Sequence, residues 1–357
     1  MDGRYRKRGN FTIFRKHYQY FILMIQPLKE TLDISLKEIS QYQQGKIKQV
    51  KTNREWLDNQ GGILPQSILL ICGASFGGKT TELDNLRSDI MNTSINEDAS
   101  NYVWLSNSFE MTSIQTTLRD LRKMFKKSFK ELLKDKFSEE EQEKLLTYYS
   151  NKTDGRFFVN NDSSNAEKLL YDIEQFVASN KDKRMVFVDI DHAALIMSDN
   201  AGKKMAIDDF VEGINKIKKE YSNVIFIILT QLNRGILSRI EPKSNNMAIQ
   251  RGDIYQSDTM FHISDYIYGL QNPYYFKIEE YRLISPSKYN HLSHRFTPPN
   301  KNGKVSLYSE GCIFVEVLKD RTADFDFTDL YTIEIRDFEK KESIVNTTPM
   351  FDEDAPF

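Results

Sequence analysis

Gly73, Gly78, Lys79 and Thr80 stand in the spacing G-x-x-x-x-G-K-[ST], within the stretch SILLICGASFGGKTTEL of residues 67–83. Glycines at such a turn let backbone N–H groups point inward around phosphate oxygens. A helix starting near Lys79 aims its positive end at the same anion. Lys79 brings a compact positive charge for the β- and γ-phosphates, and Thr80 a hydroxyl for Mg²⁺. Gly73, Ala74, Ser75, Phe76, Gly77, Gly78, Lys79, Thr80 and Thr81 are therefore the candidate cradle for ATP. A metal-side carboxylate should come from the end of another buried strand. MVFVDIDHAAL (185–195) offers Asp189 and Asp191, two apart and so on one side of an extended strand. The apolar run directly before Asp189 favours the first. The spacing to the following AAL favours the second. Burying an acid at a strand end is costly, so the pair reads as functional, one member holding Mg²⁺ and the other supporting it.

These groups need a scaffold that brings distant strand ends together. The chain has 357 residues, 39% hydrophobic and 28% charged, with a net charge of -2. That balance suits a globular protein and excludes a uniformly basic nucleic-acid binder, so any basic surface must be local. Apolar, β-rich runs at 67–73, 101–107, 184–190, 223–230, 265–270 and 311–318 predict strands buried on both faces. Helical patterns lie between them at 79–92, 112–149, 164–180 and 206–220. The alternation predicts an α/β fold with a mostly parallel sheet flanked by helices. Leu28, Leu32, Leu36 and Ile39 recur at helical spacing and predict an amphipathic helix that needs a partner surface. The organisation expected is a basic extension over 1–27, a helix and connector over 28–60, an ATPase core over 61–338 and an acidic tail over 339–357. Cys72 and Cys312 lie far apart and suggest neither a metal site nor a disulfide framework, which fits a reducing, cytoplasmic setting. The run YFILMI is too short to span a membrane.

Several further segments resemble the DnaB-type replicative helicases, whose ATPase domain is a RecA-like P-loop fold. VWLSNSFEMTSIQTTLRDL (103–121) resembles the family's strand ending in Ser-Leu-Glu-Met, and ILTQLNRGILSR (228–239) its Gln-Leu-Asn-Arg stretch. GDIYQSDTMFHISDYIYGL (252–270) resembles its Ser-Asp-Leu run, VEVLKDRTADFDF (315–327) its Lys-x-Arg element, and FFVNND (157–162) its strand ending in Asp-Asp. The resemblance covers residues 28–336 in order. It implies that Glu110 polarises the attacking water and that Gln231 senses the γ-phosphate. It also implies that Lys319 and Arg321 reach the ATP of an adjacent subunit, Arg321 as an arginine finger, and that the helix at 28–44 docks on the next subunit of a ring, a homo-oligomer of six. Such roles suit γ-phosphate hydrolysis, which needs charge neutralisation, a positioned water and a cation on the developing charge.

Single-stranded DNA is the partner this resemblance implies. Lys203 and Lys204 lie in one loop after a core strand, and Arg234, Arg239, Lys243 and Arg251 in another. Such residues suit backbone phosphates without reading bases. For the first loop a merely solvated, charged surface is an equal reading. The chain departs from the family in three places. Only about sixty residues precede the core, where the family has a helical collar. RTADFDF follows the Lys-x-Arg element without the usual glycine, and a Pro/Lys/His-rich insertion occupies about 285–310. His262, His291 and His294 lack the framework of a metal site. The tail ends Pro356-Phe357, like the acidic tip of bacterial single-stranded-DNA-binding proteins, and reads either as a partner anchor or as a solubilising segment. The function expected is an ATP-dependent helicase or translocase of a bacterium or phage. The competing readings are a filament-forming recombination ATPase and a switch or loader that never unwinds.

Overall fold

The computed structural model describes residues 28–109, 113–152, 155–160, 165–197, 202–233, 235–239, 248–254, 258–273, 275–276, 278, 280–282, 286–303, 305–322 and 330–334. The chain divides into two compact units at Gln49 and Val50. In the first, α1 (Leu28–Gln43) forms at the predicted place, and Leu28, Leu32, Leu36 and Ile39 are each at least 50% exposed.

Among the described residues the second unit holds ten strands. They are β1 (Ser67–Gly73), β2 (Tyr102–Ser108), β3 (Phe157–Asn160), β4 (Met185–Asp191), β5 (Val224–Gln231), β6 (Tyr266–Gln271), β7 (Glu280–Arg282), β8 (Ser306–Tyr308), β9 (Cys312–Asp320) and β10 (Leu330–Glu334). Eight of them make one sheet in the order β10-β9-β6-β1-β5-β4-β2-β3. From β6 to β3 every pairing is parallel. The strand alternation sends residues of β1 to two separate cores. Ile68, Leu70 and Cys72 pack with Leu169, Ile173 and Val177 of α7 (Ala166–Ser179) and Phe210, Val211 and Ile214 of α8 (Lys203–Glu220). Leu69 and Ile71 pack with Leu83, Leu86 and Ile90 of α3 (Lys79–Ile90). Both faces of the central strands are thus covered, which is why they are continuous apolar runs. No described helix is long and apolar enough to cross a membrane.

β9 and β10 reverse direction, β9 running antiparallel to β6 and β10 antiparallel to β9. The predicted strands therefore all form, and the RecA-like arrangement is the one expected. The single helix read over 112–149 is instead α4 (Ser113–Phe125), α5 (Phe129–Lys134) and α6 (Glu139–Lys152). Ser128 and Glu131 exchange side-chain and backbone hydrogen bonds at 3.3 and 2.7 Å, a capping box that starts a new helix. Lys126, at φ +56°, breaks the previous one. Helical periodicity runs straight through these caps.

The second unit begins at Val50. The short α2 (Glu55–Asp58) buries Trp56 against Tyr268, and Arg54 lies beneath it. Its guanidinium donates to Glu82 at 2.7 Å and to Asp89 at 2.6 Å, both on α3. Burial pushes the Glu82 carboxyl upward, and Arg54 offsets part of that shift. The helix that opens at Lys79 is thereby clamped by a buried ion pair.

The insertion is a small annex. β7 pairs antiparallel with β8, and Tyr281, Leu292 and Leu307 form a cluster with Phe314 of β9. The Glu316 carboxylate accepts from the Ile249 N–H at 2.7 Å and bonds the Tyr281 hydroxyl. Burial raises its pKa from 4.5 to about 8. The unfolded chain releases this proton near 4.5 while the folded chain keeps it to about 8, so the group's contribution to stability is present in acid and is lost as pH rises across that interval. Glu316→Gln should follow the wild type at pH 4.5 and gain melting temperature relative to it up to about pH 8. Parallel melting profiles for the two chains would show that Glu316 ionises normally in the fold.

Candidate functional site

The parallel strands finish at one edge of the sheet, and the candidate phosphate residues lie there. Gly73 ends β1 beside Gln231 of β5 and Leu270 of β6. A Cβ at Gly73 would stand 3.0 Å from the Leu270 carbonyl and 3.1 Å from Lys79 Cγ, so the loop passes here without a side chain. Gly78 caps α3 at φ +87°, a conformation open to glycine at little cost. No described side chain caps this helix start, which leaves its first-turn N–H groups to a ligand. Lys79 is buried, and its ammonium donates to the carbonyls of Gly73 and Ala74 at 2.9 and 3.0 Å. Ser75 and Phe76 are exposed at the tip, and Thr81 lies half-buried in the first turn. Phe76, at φ +62°, stacks on Tyr275 with centroids 5.0 Å apart.

Two carboxylates compete for the metal position, and they sit in different surroundings. The Thr80 hydroxyl donates to Asp191 Oδ2 at 3.0 Å. Asp189 is held elsewhere. It accepts from Trp104 Nε1 at 2.5 Å and Ser106 Oγ at 3.0 Å, with Arg87 at 3.8 Å. Burial raises its pKa to about 6. Asp189 thus ties β4 to β2 and to α3, while Asp191 faces the loop. An oxygen pair such as Thr80 and Asp191, at a glycine cradle, fits the hard Mg²⁺ ion.

Gln231 ends β5, and its amide lies 3.2 Å from His192 Nε2. Sequence reasoning does not single out His192; its one signal is its place directly after Asp191 at the end of β4. Glu110 lies outside the described residues. The Phe109 N–H before it donates to the Asp191 carbonyl at 2.9 Å, which brings the chain to this edge.

Lys319 and Arg321 lie at the opposite edge. Arg321 donates to Asp265 Oδ1 at 2.9 Å and to the His262 carbonyl at 2.8 Å, and it is 51% exposed. Asp265 bonds both backbone groups of Ile68, at the start of β1. Five residues of strand, or about 16 Å, separate Ile68 from Gly73. Lys319 donates to the carbonyls of Phe261 and His262 in α10 (Asp258–Ile263) at 2.8 and 3.0 Å. The chain therefore does not bring these two cations to its own phosphate loop.

The candidate DNA residues are spread. Lys203 opens α8 and Lys204 follows it, exposed. Arg239 ends α9 (Gly235–Arg239), pairs with Asp253 and donates to the Ala248 carbonyl at 3.3 Å. Arg251 stacks over Phe261. Arg234 and Lys243 lie outside the described residues, as do the tail and Phe357. Asp191→Asn should abolish the Mg²⁺ dependence of nucleotide binding, read by titration with and without the ion. Asp189→Asn should leave that dependence in place; the reverse pattern would reassign the metal position.

Comparison with known proteins adds the lineage. No curated relative matches the chain by sequence. Solved structures of similar fold include the following two. One, an ATPase domain, superposes with a TM-score of 0.63 at 18% identity, covering 88% of this chain and 98% of that one. The other, a DnaB-like replicative helicase solved in a study of its interactions with primase, superposes with a TM-score of 0.58 at 16% identity. There the match covers 88% of this chain and 66% of the helicase. The model of the DnaB-like helicase C-terminal domain matches residues 49–289, more than half of the chain, so the protein belongs to the DnaB-like helicase family.

Proposed function

We propose that this chain hydrolyses ATP at the interfaces of a ring of its own copies and uses the cycle to move along single-stranded DNA during replication. The observation that carries this reading is the separation of Arg321 from Gly73 by the length of β1. A cation so placed serves a triphosphate only if another subunit presents it. Head-to-tail stacking, with the loop edge of one copy facing the Arg321 edge of the next, completes each site.

The roles follow from the chemistry. Lys79 and the helix start neutralise the β- and γ-phosphates. Thr80 and Asp191 would hold Mg²⁺, which would supply positive charge against the charge developing on the triphosphate. Glu110 orients the attacking water, and Gln231, braced by His192, reads the γ-phosphate. Lys319 and Arg321 arrive from the neighbour. Lys203, Lys204, Arg234, Arg239 and Lys243 suit the backbone of a DNA strand inside the ring. The apolar face of α1, exposed at Leu28, Leu32, Leu36 and Ile39, suits a seat on the adjacent copy. The tail ending at Phe357 suits capture by a replication partner, and the cytoplasm of a bacterial cell is the setting.

The test is ATP turnover with and without single-stranded DNA, with strand displacement from a forked duplex measured beside it. DNA should stimulate turnover and the fork should open. Arg321→Ala should lower turnover on the order of a thousandfold. Turnover indifferent to DNA would favour a switch or loader, and helical filaments with strand exchange would favour a recombination ATPase.

A further inference from the structure

The sequence groups Arg251 with a DNA loop, but its guanidinium lies elsewhere. The backbone at 251–253 is a short 3-10 turn that follows that loop. From it the side chain reaches α10, where its carbon lies 4.8 Å from the centre of the Phe261 ring. The Lys319 ammonium lies 5.3 Å from the centre of the same ring. Two such distances to one point put the cations within about 10 Å of each other. His262 joins them to the third. Its Nε2 accepts from Arg251 at 2.8 Å, and its carbonyl accepts from Lys319 at 3.0 Å and from Arg321 at 2.8 Å.

The charge at this spot is unbalanced. Among the described residues in contact, Lys218, Arg251, Lys319 and Arg321 face the carboxylates of Asp258 and Asp265 alone. Asp265 is already shared by Lys218 and Arg321, at 2.8 and 2.9 Å. Asp258 is 84% exposed, so its pair with Arg251 is screened by solvent and worth little. Asp320, between Lys319 and Arg321 on β9, alternates to the other face of the strand and caps Thr322. Burial, and next to it Arg321, bring the Lys319 ammonium down to about 8, as expected for cations crowded without a full set of anions. The Arg251 side chain remains 46% exposed. An aromatic ring and a histidine hold it in place, so the guanidinium is oriented before any ligand arrives.

We propose that Arg251 is a third cation, with Lys319 and Arg321, of the surface that receives the neighbouring subunit's triphosphate, rather than a contact to DNA. The inference rests on the interface reading above and adds to it a residue outside the Lys-x-Arg element. DNA and ATP are both polyanions, so charge alone does not choose between them. Position does, because the guanidinium shares the Phe261 ring with Lys319 and bonds the histidine whose carbonyl holds Lys319 and Arg321.

The experiment mixes full-length variants. Arg251→Ala alone should lower DNA-stimulated turnover by about tenfold or more and leave affinity for single-stranded DNA within about twofold, with Arg251→Lys recovering part of the loss. Mixing Arg251→Ala chains with Lys79→Ala chains should restore turnover. In the mixed assembly some interfaces join an intact loop to an intact cation surface. The mixture of Arg321→Ala with Lys79→Ala is the control for the interface itself. Rescue in the control but not with Arg251→Ala overturns the assignment of Arg251 alone. No rescue in either mixture overturns the interface reading, and this inference with it. A loss of DNA affinity that accounts for the whole loss of turnover returns Arg251 to the DNA.

Discussion

The direction of β9 is the constraint on which the rest of the molecule turns. Five neighbouring pairings in the sheet are parallel, so Gly73, Ser108, Asp191 and Gln231 all finish at one edge. β9 runs against β6, pairing Asp320 with Tyr266, and delivers Lys319 and Arg321 to the other edge. Register pins this arrangement, because a slipped strand would turn its buried side chains to the wrong face. One chain thus carries a candidate phosphate cradle and a cationic surface that do not meet within it. An interface between copies follows from that geometry if the cations serve the triphosphate.

Two clamps make the edges precise. Arg54 grips Glu82 and Asp89 of α3, which fixes the helix that starts at the candidate phosphate loop. The Arg54–Glu82 pair is nearly buried, and removing one partner would leave a charge in a poorly solvating site. At the opposite edge Asp265 gathers Ile68, Lys218 and Arg321. The same strand that carries Lys319 toward that edge also carries Glu316, which holds the Ile249 backbone at the end of the candidate DNA loop. β9 therefore touches both the end of that loop and the cation edge.

How much of this was legible in sequence depends on the range of the interaction involved. The turn from Gly73 to Thr80 is a matter of local spacing, and it joins strand to helix as the residue order suggests. The central strands were legible because burial on both faces leaves unbroken apolar runs, as in β1 and β5. β10 was not, since Leu330–Glu334 alternates and mixes Tyr, Thr and Glu at a sheet edge. The breaks between α4, α5 and α6 come from capping at Ser128 and Ser138, which periodicity does not register. The different surroundings of Asp189 and Asp191 come from Trp104 and Thr80, which lie far from them along the chain. Arg251 shows the same limit, because its neighbours in sequence belong to a loop and its neighbours in space belong to α10.

Whether each ATP is held between two copies can be read from turnover per chain as a function of chain concentration, with the mass of the assembly measured in parallel. Turnover should fall toward zero on dilution to the monomer and rise together with assembly. Constant turnover per chain across the transition, with full activity in the monomer, would contradict it.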